Sequence, residues 1–263
     1  VTARTDHGPT TLPVQRRVRP EHPRKAFVAQ LMGLPISIHI RGPQATGDRV
    51  AGLVAQAFAA LAADDATFST YHSESTVSAI RRGDLPLHLA GPRVQEVVAL
   101  CREANRRTNG AFDAWLPGGF DPTGLVKGWA VESAFTALCD YLGHLGGHDA
   151  LINAGGDVAV RCGRTDTPDW RIAIEDPNDR SRTLRVLSLR EGAVATSGTA
   201  ARGSHIIDPA TAAPVAACPL SATVAGPSLL WADVYATAVF VHGAAAADWL
   251  RRFPDYRAFT VRA

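Results

Sequence analysis

Residues Asp121 to Glu132 read Asp-Pro-Thr-Gly-Leu-Val-Lys-Gly-Trp-Ala-Val-Glu, which places a carboxylate, two glycines and a lysine in the turn that starts a helix. Such a turn can hold a phosphate. Gly124 and Gly128 let the backbone approach a ligand, the free N–H groups of a helix start favour an anion, and Lys127 adds a full positive charge. Asp121 does not belong to a bare phosphate clamp. An acid beside a phosphate points to a metal or to a donor on the ligand, such as a ribose or a ring N–H. The same letters also suit a plain helix N-terminus with a solvated lysine.

A second pair stands near the C-terminus. Asp233 and Thr237 lie four residues apart and so share one face of an otherwise apolar helix. A buried carboxylate needs a partner, and no basic residue sits within a turn of Asp233 along the chain. A hard cation such as magnesium, taking the carboxylate, the hydroxyl and backbone carbonyls, would satisfy it. The alternative is a back-bonding threonine beside an aspartate at a wet helix start. Met32, the only methionine, stands at a strand mouth, where a thioether fills core space or rests against an aromatic ring of a ligand.

The elements that must position these groups follow from periodicity. Leu34-Pro-Ile-Ser-Ile-His-Ile40 alternates as a strand does. From Asp48 to about Ala63, Val50, Leu53, Val54, Ala57, Phe58 and Leu61 recur at helical spacing. A polar loop, Phe68 to Ser75, leads on to a helix from about Arg93 to Arg107, which Asn109-Gly110 ends. The next helix is expected from about Lys127 to Leu142, closed by a glycine- and histidine-rich loop whose His144 and His148 have no acidic partner nearby and read as loop residues.

Ala150 to Val160 reads as a strand interrupted at Ala154-Gly155-Gly156, where glycines mark a bulge or a close backbone approach. Short strands at Trp170–Glu175, Leu184–Leu189 and Gly192–Thr196 make a meander, largely antiparallel, and Leu220–Val224 is another strand. One long helix, from about Ser228 to Arg251, is apolar nearly all round and must be buried.

With 263 residues and 46% hydrophobic content, the chain can bury a sizeable core. Its formal charge of +2 is spread through the sequence and argues for neither nucleic acid nor an anionic membrane as partner. Cys101, Cys139, Cys162 and Cys218 contain no Cys-x-x-Cys pair and fit small hydrophobes in a reducing compartment, so the cytoplasm is the expected location. Residues 1–25 carry arginines and prolines without an apolar core segment and read as a flexible lead-in to one domain over 26–263. No run reaches the roughly 18 to 20 apolar residues of a membrane span, so no insertion is expected.

In their order, several stretches resemble the ApbE-type FAD:protein FMN transferases over roughly residues 30 to 262: Met32-Gly33, Ser69-Thr-Tyr71 with Ser75, Gly110-Ala-Phe-Asp113, Asp121-x-x-Gly124-x-x-Lys127-Gly128, Asn153-x-Gly155-Gly156-Asp157, Thr196-Ser197-Gly198, His205-Ile-Ile-Asp208-Pro209, and Ala232-Asp233 with Ala236-Thr237. The resemblance implies an α+β fold of two similar halves, largely antiparallel sheet backed by helices in a T-fold-like architecture, with FAD held between them. It implies magnesium-dependent transfer of the FMN half of FAD onto a threonine hydroxyl of a target flavoprotein, with release of AMP.

Position by position, the resemblance makes Asp121 and Lys127 the FAD-contacting acid and lysine. It makes Gly124 a metal ligand through its carbonyl, and Asp233 and Thr237 the side-chain ligands with Ala236 beside them. Met32, Tyr71, Ala111, Phe112, Asp113 and Ile207 match positions lining the flavin and adenosine ends, and His205 matches the proton acceptor. Val234-Tyr235 is bulkier than the small residues usual between the metal ligands. An FAD pyrophosphatase using water, and a non-catalytic flavin carrier, remain alternatives. A serine hydrolase on Ser197, His205 and Asp208 lacks the Gly-x-Ser-x-Gly elbow.

Overall fold

The computed structural model describes residues 22–115, 118–198, 206–215 and 219–261, and its first element is a hairpin. Strands β1 (Arg24–Leu31) and β2 (Leu34–Arg41) pair from Arg24 opposite Arg41 to Leu31 opposite Leu34. Between them Met32 (φ 54°) and Gly33 (φ 72°) are both left-handed, the turn geometry whose twist matches that of paired strands. β1 has no counterpart in the sequence reading and starts inside the stretch read as lead-in. Its residues are only half-buried or exposed, so no clean apolar alternation marks it. β2 behaves as its alternation requires: Ile36, Ile38 and Ile40 are fully buried, each worth about 1.5–3 kcal/mol.

Helix α1 (Asp48–Phe68) turns Val50, Val54, Ala57, Leu61 and Phe68 inward. A short helix α2 (Thr76–Arg82) follows, capped by Ser75, whose Oγ accepts the Ser78 N–H at 3.0 Å. Helix α3 (Pro92–Arg107) closes into Asn109 and Gly110, both at positive φ, as the Asn-Gly signal predicts. Helix α4 (Thr123–Gly143) begins a turn earlier than the expected Lys127. The cause is Asp121, whose Oδ1 accepts the Thr123 N–H (3.1 Å) and hydroxyl (2.6 Å), so Gly124 lies in the first turn and Lys127 in the second.

The interrupted strand is two strands, β3 (Asp149–Ala154) and β4 (Asp157–Cys162), with the glycines at the turn between them and not at a bulge. Gly155 (φ 62°) and Gly156 (φ 104°) form the tight turn between them, held by the Gly156 N–H donating to Asn153 Oδ1 at 2.9 Å. The meander continues as β5 (Trp170–Glu175), β6 (Thr183–Leu189) and β7 (Glu191–Gly198), then a small ribbon of β8 (Ile207–Asp208) and β9 (Ala213–Pro214), and β10 (Ser221–Gly226). The expected single terminal helix is broken: α5 (Leu229–His242) stops at Gly243 (φ 54°), and α6 (Ala246–Leu250) leads to strand β11 (Arg257–Val261).

Seven strands join in one antiparallel sheet in the order β1-β2-β3-β4-β7-β10-β11. The seam between the earlier and later parts of the chain is the β4–β7 pairing, Val158 opposite Val194. The expected α+β fold of antiparallel sheet backed by helices is therefore present. One face is alanine-rich where it meets the helices, with Ala150, Ala154, Ala159, Ala193, Ala195 and Ala222 buried in the main core. Small side chains let α4 and α5 lie close to the strands. On the other face, the β5–β6 ribbon covers Val158, Val160 and Val194 with Ile172.

Helix α4 also builds the start of α5. Its Glu132 Oε2 accepts the Ser228 hydroxyl (2.8 Å) and the Leu230 N–H (2.6 Å), which fixes one helix against the other. Asp48–Phe68 and Leu229–Leu250 are long and apolar enough to cross a membrane by length and composition, yet both pack into this core. Tyr235, with no exposed surface, stacks on Phe253 (4.5 Å between centroids) and meets Tyr256 and Trp249 edge-on, so its bulk is absorbed by an aromatic cluster. Cys101 and Cys139 are buried free thiols, and burial pushes each up to about 12; Cys218 lies outside the described residues.

Candidate functional site

The β1–β2 turn, the end of α1, the loop after it and the start of α4 enclose a cavity of about 450 Å³. Its walls include Met32, Asp65, Phe68, Tyr71, Thr123 and Lys127. Met32, Tyr71 and Lys127 were expected there from the sequence, and the structure brings them together. Asp65 was not. It lies one helical turn from the buried Leu61, and its Oδ2 accepts the Met32 N–H at 3.0 Å, which holds Met32 in its left-handed conformation. Tyr71 is 94% exposed at the mouth, an aromatic surface with no protein partner of its own among the described residues.

Lys127 reaches from the second turn of α4 to two carboxylates. Its Nζ is hydrogen-bonded to Asp157 Oδ2, and it donates to Asp233 Oδ1 at 3.3 Å, with Asp233 Oδ2 at 3.2 Å. Asp157 is 2% exposed and Asp233 4%. The other oxygen of Asp157 accepts the Thr196 N–H at 3.0 Å. Asp233 thus does have a basic neighbour, supplied by the fold and invisible along the chain. Sequence reasoning noted Asp157 within a motif but gave it no role. Its position just after a Gly-Gly turn was the available signal, because such a turn fixes where the next side chain points.

Asp233 Oδ2 nonetheless lies close to the ammonium without hydrogen-bonding geometry and has no hydrogen-bond partner among the described residues. One turn on, Thr237 Oγ1 is hydrogen-bonded to Ser197 Oγ at 3.0 Å, and Ala236 between them is fully buried. Two buried carboxylates against one ammonium leave a negative charge, and an orphaned buried oxygen is costly. Those residues fit a hard divalent cation: a free carboxylate oxygen with a hydroxyl four residues on. Among the described residues no three His, Cys, Asp or Glu side chains cluster as metal ligands, so backbone carbonyls and the ligand itself would complete the set.

Of the remaining expected residues, none of those described is among the cavity walls. A Cβ on Gly124 would come 3.2 Å from the Phe112 ring, which would have to give by a few tenths of an ångström. Phe112 and Ala111 are buried, and the Phe112 N–H donates to Thr108 Oγ1 at 3.0 Å. Asp113, half-buried, accepts the Trp115 N–H at 2.8 Å. Asp121 is engaged with Thr123 and lies 3.4 Å from Arg81 Nη1. Ile207 sits in the β8–β9 ribbon, half-buried, and is not among the cavity walls. His205 lies outside the described residues.

Known proteins resemble this chain in sequence and in fold. The model of the ApbE family matches residues 32–117 and 116–260. A curated FAD:protein FMN transferase of Vibrio cholerae is 33% identical over 132 residues, covering 47% of this chain and 38% of that protein. One from Rhodobacter capsulatus is 39% identical over 112 residues, covering 39% of this chain and 20% of that protein. The matched stretches therefore span well under half of those relatives. Among solved structures, the ApbE protein of Thermotoga maritima superposes with a TM-score of 0.77 at 20% identity, covering 90% of this chain and 94% of that one. The flavinyl transferase ApbE of Pseudomonas stutzeri, apo form, gives 0.73 at 24% identity, covering 92% of each chain.

Proposed function

The chain belongs to the ApbE family, and on that premise we propose that it transfers the FMN half of FAD onto a threonine hydroxyl of a flavoprotein, with magnesium bound. The observation that carries this reading is Lys127, which lines the cavity and joins it to the buried pair Asp157 and Asp233. FAD takes the cavity between the β1–β2 turn and the start of α4, its isoalloxazine near Met32 and the exposed Tyr71. Its pyrophosphate lies toward the N-terminus of α4 and Lys127, where backbone N–H groups favour an anion. The family resemblance also assigns Ala111, Phe112, Asp113, Asp121 and Ile207 to FAD, from outside the cavity walls described above. Asp233, Thr237 and the carbonyls of Gly124 and Ala236 would hold the magnesium, which when bound neutralises charge on the pyrophosphate.

In the transfer, the acceptor hydroxyl oxygen attacks the phosphorus on the FMN side. The bond from that phosphorus to the bridging oxygen breaks, and AMP leaves with that oxygen. His205 takes the proton of the hydroxyl, a task suited to an imidazole near neutral pH. Lys127 adds positive charge where the phosphoryl group becomes more anionic.

The test is co-expression of the full chain with a candidate flavoprotein, followed by mass spectrometry of the acceptor. Gain of an FMN unit on a threonine, abolished by His205→Ala while FAD still binds, is expected. AMP release at the same rate without any acceptor would instead identify a pyrophosphatase.

A further inference from the structure

The cluster of Lys127, Asp157 and Asp233 is asymmetric in a way that its charges alone do not require. Both Asp157 oxygens are committed, one to the Thr196 amide and one to the ammonium. Asp233 receives only one long hydrogen bond, at 3.3 Å, and its Oδ2, 4% exposed as a residue, receives none among the described residues. The ammonium is therefore anchored on Asp157 and leans on Asp233. Asp233 packs beside α4 at Gly128, where a Cβ would stand 3.0 Å from its Cβ and 3.1 Å from its Oδ2.

We infer that Lys127 is a placeholder cation, covering Asp233 until a divalent metal arrives, and that Asp157 is the positioning residue that keeps it there. The inference rests on the metal reading of Asp233 and Thr237 given above. An ammonium and a divalent ion on one carboxylate repel each other, so each weakens the other's hold while the cleft lacks an anion. A pyrophosphate changes the sign of that coupling. It gives the ammonium and the metal a shared partner, so Lys127 can turn to phosphate oxygens while staying tethered to Asp157. The protein then holds metal weakly alone and tightly with its dinucleotide, and the two buried carboxylates are never left without a cation.

Titration calorimetry of the full chain with Mg²⁺, and with Mn²⁺ as a second probe, tests this in the absence of FAD. Lys127→Met removes the charge and keeps the length, and should bind metal about tenfold more tightly than the wild type. Asp157→Asn leaves the ammonium with Asp233 alone, and should bind metal about tenfold more weakly. A purely structural cluster would weaken both variants. Thermal melts in EDTA and in excess Mg²⁺ add a readout that survives poor folding: Lys127→Met should lose stability in EDTA and gain more from Mg²⁺ than the wild type does. Unchanged or weaker metal binding by Lys127→Met overturns the placeholder role while leaving the metal site standing. Absence of metal binding in all three proteins at millimolar Mg²⁺ overturns the metal reading, and the inference with it.

Discussion

Gly128 of α4 and Asp233 of α5 are packed so closely that a Cβ on the glycine would stand 3.0 Å from the Asp233 Cβ and 3.1 Å from its Oδ2. The Leu229 carbonyl would be equally near, at 3.1 Å. Two opposed effects therefore meet in Gly128→Ala. Alanine gains about 1 kcal/mol of helix propensity, whereas overpacking against fixed backbone costs about 1–3 kcal/mol. None of the obstructing atoms is the far end of a flexible side chain except Oδ2, so overpacking should win. A net loss in urea unfolding is expected, with weaker metal binding; a variant as stable as the wild type would show that the helices separate freely.

Asp233→Ala removes the carboxylate while Lys127 keeps Asp157 as partner, so the fold should survive. Metal affinity by calorimetry should fall below detection, and FMN transfer should cease. Full activity in this variant without added metal would rule out Asp233 as a ligand.

Met32 occupies a left-handed position at the hairpin turn that an L-residue enters at a cost of roughly 1–2 kcal/mol. Met32→Gly should therefore leave stability unchanged or raise it by up to about 1 kcal/mol. If the thioether contacts the flavin, FAD affinity by fluorescence quenching should fall in the same variant. Stability and affinity falling together would mean that Met32 serves only the core.

His148 is a buried imidazole in the loop before β3, 4% exposed, with neither ring nitrogen hydrogen-bonded among the described residues. Burial lowers its pKa, and the Arg164 charge acts the same way. Asp149 opposes the shift, as does the nearby Leu142 carbonyl, which does not reach hydrogen-bonding geometry. Because the native imidazole resists a proton that the unfolded chain accepts near its usual pKa of about 6.5, its contribution is complete above that pH and fades as pH falls below it. The midpoint of urea unfolding should drop between about pH 7 and 5, less steeply in His148→Gln. Equal slopes in the two proteins would remove His148 as the cause.

The α+β character, most of the element order and the family were legible in the letters, because those depend on local patterns. Ile36, Ile38 and Ile40 alternate, the apolar residues of α1 recur at helical spacing, and Asn109-Gly110 ends α3 by conformational preference alone. The glycine motifs around Gly124, Gly128 and Gly155 also survive as letters. Neighbouring groups set other details by competition: Asp121 starts α4 at Thr123, and Gly243 breaks the last helix, where periodicity alone pointed elsewhere. What Asp233 faces follows from the packing of distant elements. Lys127 is 106 positions away and Asp157 another 30 from Lys127, and pairing them takes the close approach of α4 and α5 together with the β3–β4 turn. The same holds for Asp65 and Met32, 33 positions apart. Electrostatic partners of buried charges are chosen by packing, and packing is a property of the assembled elements.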